Sequence, residues 1–203
     1  MEGAHYFDQE PTVASKPAQT EVNLPDLTVT LTSDRGVFSH DRLDPGTKLL
    51  LTDAPPVDDD AVTLDIGCGW GPIACVTALR TRGGRIWAID TNSRARTLTE
   101  INAREIGAAD RITVAPPTEI PKGVRFDRIL SNPPIRIGKP ALHQLLESWL
   151  SRLNPGGQAH LVVQKHLGSD SLSRWLTGQG FPTIRWVSRS GYRILEVDPR
   201  EDS

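Results

Sequence analysis

From Val62 onward the chain keeps one rhythm, and that rhythm constrains its fold more than any other feature. Short apolar, β-branched runs alternate with longer stretches of helical spacing. The strand candidates are 62–68 (VTLDIGC), 85–90 (RIWAID), 111–115 (RITVA), 126–131 (FDRILS) and 158–164 (QAHLVVQ). Between them lie 72–82, 93–107 and 140–153, and the last carries Leu142, Leu145, Leu146, Trp149, Leu150 and Leu153 at i, i+3, i+4, i+7 spacing. That is the stripe of a helix laid on a sheet. Alternation of this kind predicts an α/β fold with a parallel sheet covered by helices on both faces. Near the end the pattern changes. A helical SDSLSRWLTGQG precedes two strands joined around Gly191, which predicts a C-terminal antiparallel hairpin added to the parallel sheet.

Residues 1–55 read as an N-terminal cap or extension packed on a core of residues 56–203, the two forming one compact unit, since 203 residues suit one domain with a small addition. The stretch LTVTLTSDRGVFS predicts a hairpin turning at Asp34-Arg35-Gly36, DRLDPGTKLLLTDA a short helix, and the acidic DAPPVDDDA a solvated connector. A net charge of −2 does not suit a general polyanion coat, although a local basic patch still permits RNA binding. The first residues lack the basic and apolar regions of a signal peptide, no run reaches membrane-spanning length, and the two cysteines, Cys68 and Cys75, form no metal or disulfide framework. The expectation is a cytoplasmic protein with no membrane and no metal partner; oligomeric state is left open.

The chemistry is concentrated at the carboxyl ends of the predicted strands, where open parallel sheets bind ligands. After the first core strand comes DIGCGWG, in which Gly67, Gly69 and Gly71 let the backbone approach a ligand closely. Asp90 ends the next strand, at about the 20-residue offset where a carboxylate accepts both hydroxyls of an adenosine ribose. The dinucleotide fingerprint G-x-G-x-x-G is not matched, since the spacing here is G-x-G-x-G. Asp65, just before the loop, would repel a pyrophosphate and suits a ligand carrying an ammonium and a sulfonium. The loop therefore favours S-adenosylmethionine over NAD. Cys68 within the loop and Thr91 beside Asp90 join these residues as cofactor neighbours, and Trp70 is expected to border the cofactor; Trp149, Trp175 and Trp186 read as core.

The fourth strand ends in Asn132-Pro133-Pro134, a rigid corner that cannot continue a sheet. Together with the glycine loop and Asp90, this corner resembles class I S-adenosylmethionine-dependent methyltransferases of Rossmann-like fold, with a mostly parallel seven-stranded sheet. The finer pattern of GVFSHDRLDPGTKLLL, LDIGCGWGPIA, SNPPIRIGK and GGQAHLVVQKHLG resembles the RsmC-type guanine-N2 methyltransferases of small-subunit ribosomal RNA, within the methyltransferase small domain group. The resemblance implies that Asn132, Pro133 and Pro134 form the catalytic acceptor pocket, with Asn132 also near the cofactor, and that the N-terminal cap lies over that pocket.

The chemistry agrees. An exocyclic amine is a weak nucleophile, and carbonyl acceptors from Asn132 and Pro133 would hold it and favour a more nucleophilic geometry. Ile135 supplies an apolar wall in place of the aromatic stack of N-P-P-Y enzymes, which argues against adenine-N6 and protein-glutamine methylation. Arg136, Lys139, Phe38, Arg42 and Lys165 are candidate contacts to the substrate, RNA or the small ribosomal subunit, with Gln164 beside them. Competing readings are an NAD-dependent oxidoreductase and a non-catalytic RNA-binding module. After the third core strand, Pro116-Pro117-Thr118-Glu119 replaces the polar pair that usually meets adenine, and the residues do not say which group takes that role.

Overall fold

The computed structural model describes residues 13–200. An N-terminal hairpin of β1 (Ala18–Asn23) and β2 (Thr28–Ser33) precedes helix α1 (Pro45–Asp53). The core then runs β3 (Val62–Ile66), α2 (Pro72–Arg80), β4 (Arg85–Ile89), α3 (Ser93–Glu105), β5 (Ile112–Ala115), β6 (Phe126–Ser131), α4 (Lys139–Leu150), β7 (Leu153–Gln164), α5 (Ser169–Gly178), β8 (Thr183–Arg189) and β9 (Tyr192–Val197). Seven strands form one sheet in the order β5-β4-β3-β6-β7-β9-β8. Strands β3 to β7 pair in parallel, whereas β9 pairs antiparallel with both β7 and β8. The chain runs outward from β3 to β4 and β5, then returns to β3's other side with β6. That reversal opens a crevice at the carboxyl ends of β3 and β6.

The central strands are buried on both faces, so they read as continuous apolar runs. Alternate side chains feed two clusters. One joins the sheet to α1, α2, α3 and the hairpin, and includes Val22, Leu31, Leu50, Cys75, Ile86 and Val162. The other joins it to α4 and α5, and includes Leu64, Ile129, Leu146, Trp149, Leu161 and Leu176. In α4 the expected stripe is buried at Leu142, Leu146, Trp149 and Leu150, each contributing roughly 1.5–3 kcal/mol of apolar burial. The connector at 54–61 separates α1 from β3, yet α1 and the hairpin share the first cluster with α2 and α3.

Three expectations change. The hairpin turns one element earlier than anticipated, around Leu24–Leu27, where the Leu24 N–H donates to the Leu27 carbonyl over 2.9 Å. Asp34 does not make the turn, because its carboxylate accepts from the Ser15 hydroxyl and from the backbone N–H groups of Lys16 and Arg35. Strand β7 begins at Leu153, so Asn154-Pro155-Gly156-Gly157 is an irregularity within a strand and not a plain connection. Gly157 lies so close to β6 that a Cβ would sit 2.9 Å from the Phe126 carbonyl oxygen. Finally, Trp186 is not core. It lies on edge strand β8, at a register shift, is 46% exposed, and donates its indole N–H to the Asp53 carbonyl at 2.9 Å.

Candidate active site

The crevice holds a cavity of about 280 Å³, lined from the strand ends, the β2–α1 segment and α1. Its floor is the glycine loop. The N–H groups of Gly67 and Cys68 donate to the Ile89 carbonyl of β4, at 2.8 and 3.0 Å. Gly69 donates its N–H to Asp90 Oδ2 at 3.0 Å, while Asp90 Oδ1 accepts the Asn92 N–H at 2.9 Å. Asp90 therefore braces the loop and still borders the cavity. Burial raises its pKa, and the loop and Asn92 N–H groups oppose that rise. Arg96 supports the same turn by donating to the carbonyls of Asp90 and Thr91.

Helix α3 grips the loop from the other side. The Thr99 hydroxyl donates to the Gly69 carbonyl at 2.9 Å. Asn102, fully buried, donates to the carbonyls of Trp70 and Thr32 and accepts the Thr32 N–H at 2.7 Å. One amide thus ties the N-terminal hairpin to the loop. Asn92 does similar work, capping α3 at Ala95 and donating to the Gly36 carbonyl.

Two residues expected to hold a cofactor lie beneath the cavity and not in its wall. Gly71 caps α2 with φ +87°, and a Cβ there would stand 2.9 Å from the Thr99 Cγ2, so its role is close packing of α2 on α3. Asp65 is fully buried and accepts the Ala74 N–H of α2 at 3.1 Å through Oδ2. Its Oδ1 has no hydrogen-bond partner, and burial pushes the carboxyl up to about 8. Cys68 borders the cavity and is itself buried, which pushes its thiol well up.

The Asn132 corner faces this loop. The Ser131 hydroxyl donates to the Ile66 carbonyl at 2.7 Å, stapling the ends of β6 and β3. A Cβ on Gly67 would meet Pro134 Cδ at 4.0 Å. Asn132 donates through Nδ2 to Asp44 Oδ2 at 2.8 Å and to Thr47 Oγ1 at 3.0 Å. A carboxylate can only accept, so Asp44 fixes which end of the amide faces it. Oδ1 is left as the acceptor of a residue that lines the cavity. Asp44 also caps α1 by accepting the Thr47 N–H at 2.9 Å, so one carboxylate oxygen orders both helix and amide. The Pro133 carbonyl accepts the Ile135 N–H at 2.8 Å, which holds its direction and leaves one lone pair.

Of the remaining expected substrate contacts, Phe38, Ile135 and Arg136 line the cavity, and Phe38 is 49% exposed at its edge. Arg42, Lys139 and Lys165 are exposed outside its lining: Arg42 beyond Ser39 in the β2–α1 segment, Lys139 at the start of α4, Lys165 in a 3-10 turn after β7. Gln164 and Tyr192 do line it, and Gln164 Nε2 donates to the Tyr192 hydroxyl at 2.8 Å. Pro117 stands where the adenine contact was undecided, whereas Thr118 and Glu119 are exposed outside the lining. The sequence reading missed Asp44, Thr47, Asn92, Thr99, Asn102 and Tyr192. Asp44 and Asn92 had a local signal, each an N-cap residue at the start of an expected helix, and Asp44 is followed by Pro45. Among the described residues there is no group of three or more potential metal ligands, and no helix is long and apolar enough to cross a membrane.

The crevice fits a nucleoside-bearing ligand: the space over Gly69 is clear of atoms that a Cβ would meet, and Asp90 borders the cavity at the ribose position of such sites. Sheet order, glycine loop and Asn-Pro-Pro corner together define a class I S-adenosylmethionine-dependent methyltransferase, and S-adenosylmethionine is its cofactor. The chain belongs to the methyltransferase small domain family, whose model matches residues 28–196. The uncharacterized protein YbxB of Bacillus subtilis is 33% identical over 196 residues, covering 95% of this chain and 97% of that one. Ribosomal RNA large subunit methyltransferase G of Shewanella amazonensis is 30% identical over 79% of this chain, and ribosomal RNA small subunit methyltransferase C of Cronobacter sakazakii is 33% identical over 72%. This chain spans only 43% of the length of each of those two methyltransferases.

Among solved structures, the T. thermophilus 16S rRNA N2 methyltransferase RsmC, in complex with AdoMet and guanosine, shares the fold with a TM-score of 0.74 at 21% identity, covering 94% of this chain and 52% of its own. A ribosomal protein L11 methylase from Lactobacillus delbrueckii shares it at 0.61 and 20% identity, covering 79% of this chain and 85% of its own. The same fold thus serves RNA and protein acceptors, and the acceptor must be argued from the corner itself.

Proposed function

We propose that this chain transfers a methyl group from S-adenosylmethionine to the exocyclic N2 amine of a guanine in RNA, with small-subunit ribosomal RNA in the cytoplasm as its target. The observation that carries this reading is the Asp44-fixed amide of Asn132, which leaves a carbonyl oxygen as acceptor beside the glycine loop. An amine with two N–H groups fits such a site, since Asn132 Oδ1 and the free lone pair of the Pro133 carbonyl can each accept one. Ile135 gives the base an aliphatic wall. Relatives named as ribosomal RNA methyltransferases support RNA as the acceptor.

The geometry supports the following roles. Asp90 accepts the ribose hydroxyls while holding Gly69, and Gly67 and Gly69 let the backbone approach the donor. Asp65 braces the start of α2 from below, and Cys68 and Thr91 complete the wall. When bound, S-adenosylmethionine supplies a methyl on a positively charged sulfur, already activated without acid or base. The chain's task is then alignment and charge complementarity rather than proton abstraction. Asn132 and Pro133 orient the amine lone pair toward the loop, and the methylated amine sheds its extra proton to water. Phe38 and Arg136 at the cavity edge meet the splayed nucleotide, because an amine within a base stack is out of reach. Arg42, Lys139 and Lys165 contact flanking phosphates.

Radiolabelled methyl transfer to ribosomal particles and total RNA from a deletion strain, followed by nucleoside mass spectrometry, tests the proposal. N2-methylguanosine is the expected product. Label recovered only in protein, or only on adenine, overturns it.

A further inference from the structure

Gln164 and Tyr192 take no part in this account of methyl transfer, yet both line the acceptor side of the cavity. They are directly paired across the antiparallel ladder of β7 and β9, at the point where β7 ends. The next residue anchors the pair, since the Lys165 N–H donates to the Gly191 carbonyl at 2.9 Å. The Tyr192 ring lies on α1 where only a glycine permits it. A Cβ on Gly46 would stand 2.7 Å from the Tyr192 Cε1 and 2.9 Å from Asp44 Oδ2. That same carboxylate oxygen holds the Asn132 amide at 2.8 Å. The tyrosine therefore stands beside the clamp that orients the amine acceptor.

The hydrogen bond inside the pair decides what remains for a ligand. Gln164 Nε2 donates to the Tyr192 oxygen at 2.8 Å. The phenol must then aim its own hydrogen elsewhere, and the glutamine keeps its carbonyl oxygen. One acceptor and one donor stand next to each other. With Asn132 Oδ1 and the Pro133 carbonyl, the corner offers acceptors followed by a donor. A guanine edge offers the complement: the N2 amine and N1–H as donors, then O6 as acceptor. An adenine edge would set the bare N1 lone pair against the Gln164 oxygen.

We infer that Gln164 and Tyr192 are the specificity-determining pair of the acceptor site, with Gln164 Oε1 accepting N1–H and the Tyr192 hydroxyl donating to O6 of a guanine. This rests on the guanine-N2 reading and deepens it. The side-chain hydrogen bond of Gln164 goes to Tyr192 and not to the glycine loop, so the inference expects cofactor affinity to be independent of both.

The discriminating probe is 2-aminopurine riboside, which keeps the 2-amine and lacks both N1–H and O6. Its fluorescence reports binding to the full chain with S-adenosylhomocysteine present, and guanosine competes for the site. Wild type is expected to prefer guanosine by about 10- to 100-fold, the range for a site whose buried polar groups lose their partners. Tyr192→Phe, which keeps the ring on Gly46, and Gln164→Met, which keeps the volume, should each reduce that ratio to about 3-fold or less, with S-adenosylhomocysteine affinity unchanged. A ratio in Tyr192→Phe equal to wild type, or no preference in wild type, overturns the inference. Nucleoside mass spectrometry separates its failure from that of the proposed function. N2-methylguanosine with an unaltered ratio sinks the pair alone. Methyl on another base, with guanosine preference lost in Tyr192→Phe, sinks the transfer reading and leaves base selection standing.

Discussion

The glycine loop after β3 and the Asn132 corner after β6 lie side by side on one sheet edge, but they are held by different means. The loop is fixed mainly through its backbone. Asp90, Thr99 and Asn102 bond its N–H and carbonyl groups, and Asp90 comes from the next strand and the other two from the next helix. The corner is fixed through a side chain, and its partners Asp44 and Thr47 come from the N-terminal portion, 88 and 85 residues away in sequence. The loop is thus braced by the repeating β-α unit itself. The corner, the proposed acceptor site, depends on an addition to that unit.

This contrast is broken most directly at Asn132. Asn132→Ala should lower methyl transfer by about 10³-fold, the scale of losing a polar group aimed at the reacting centre. S-adenosylhomocysteine affinity, measured by calorimetry, should stay within about 3-fold, because the loop keeps its own braces. If both fall together, Asn132 supports the whole edge and the two corners are not separable. Asp90→Ala should do the reverse of a turnover defect, weakening S-adenosylhomocysteine by about 10²-fold through loss of charge-assisted bonds to hydroxyls and to the loop.

Asp44 sharpens the comparison. Asp44→Ser retains a helix cap but is too short to reach Asn132, so turnover should fall by about 10- to 100-fold with cofactor affinity and melting temperature nearly unchanged. Asp44→Asn, which keeps an oxygen at the same reach, should lose less. Equal losses in the two would mean that charge matters there, not orientation.

A last effect concerns stability rather than turnover. Burial holds the Asp65 carboxyl at about 8 against an ordinary value of 3.8. The folded chain then keeps a proton that the unfolded chain has released, so this group's contribution to stability declines as pH rises from about 4 through about 8. Asp65→Asn should remove that slope. Urea unfolding at pH 5 and pH 8.5 should show the wild type losing up to a few kcal/mol more than the variant across the window.

What could be read from the sequence divides along the same line. The parallel core, α4 and the closing hairpin were legible because each depends on local periodicity. The glycine loop and Asp90 were legible because turn geometry and strand endings leave short-range marks. The clamp was not, since nothing near Asn132 announces Asp44. The first hairpin was displaced because AQTEVN alternates weakly and Asp34-Arg35-Gly36 carries turn-forming residues that the fold uses to end β2. Trp186 was misjudged because an indole suggests core, while an edge strand leaves it one neighbouring strand and a carbonyl at Asp53. Asp65 and Gly71 were placed with the right loop but on the wrong side of it: the motif marks the turn and does not say which of its residues look inward.

The three bonds of Asn102 have a consequence for biosynthesis. Thr32 leaves the ribosome 70 residues before the amide that will hold it, an interval of about 4 to 14 s at ordinary elongation rates. Asp44 waits longer for Asn132, and Gly46 longer still for the ring of Tyr192. Part of the N-terminal segment therefore waits for partners made long after it, whereas Asp90, Thr99 and Asn102, which brace the glycine loop, are all made before Asn132.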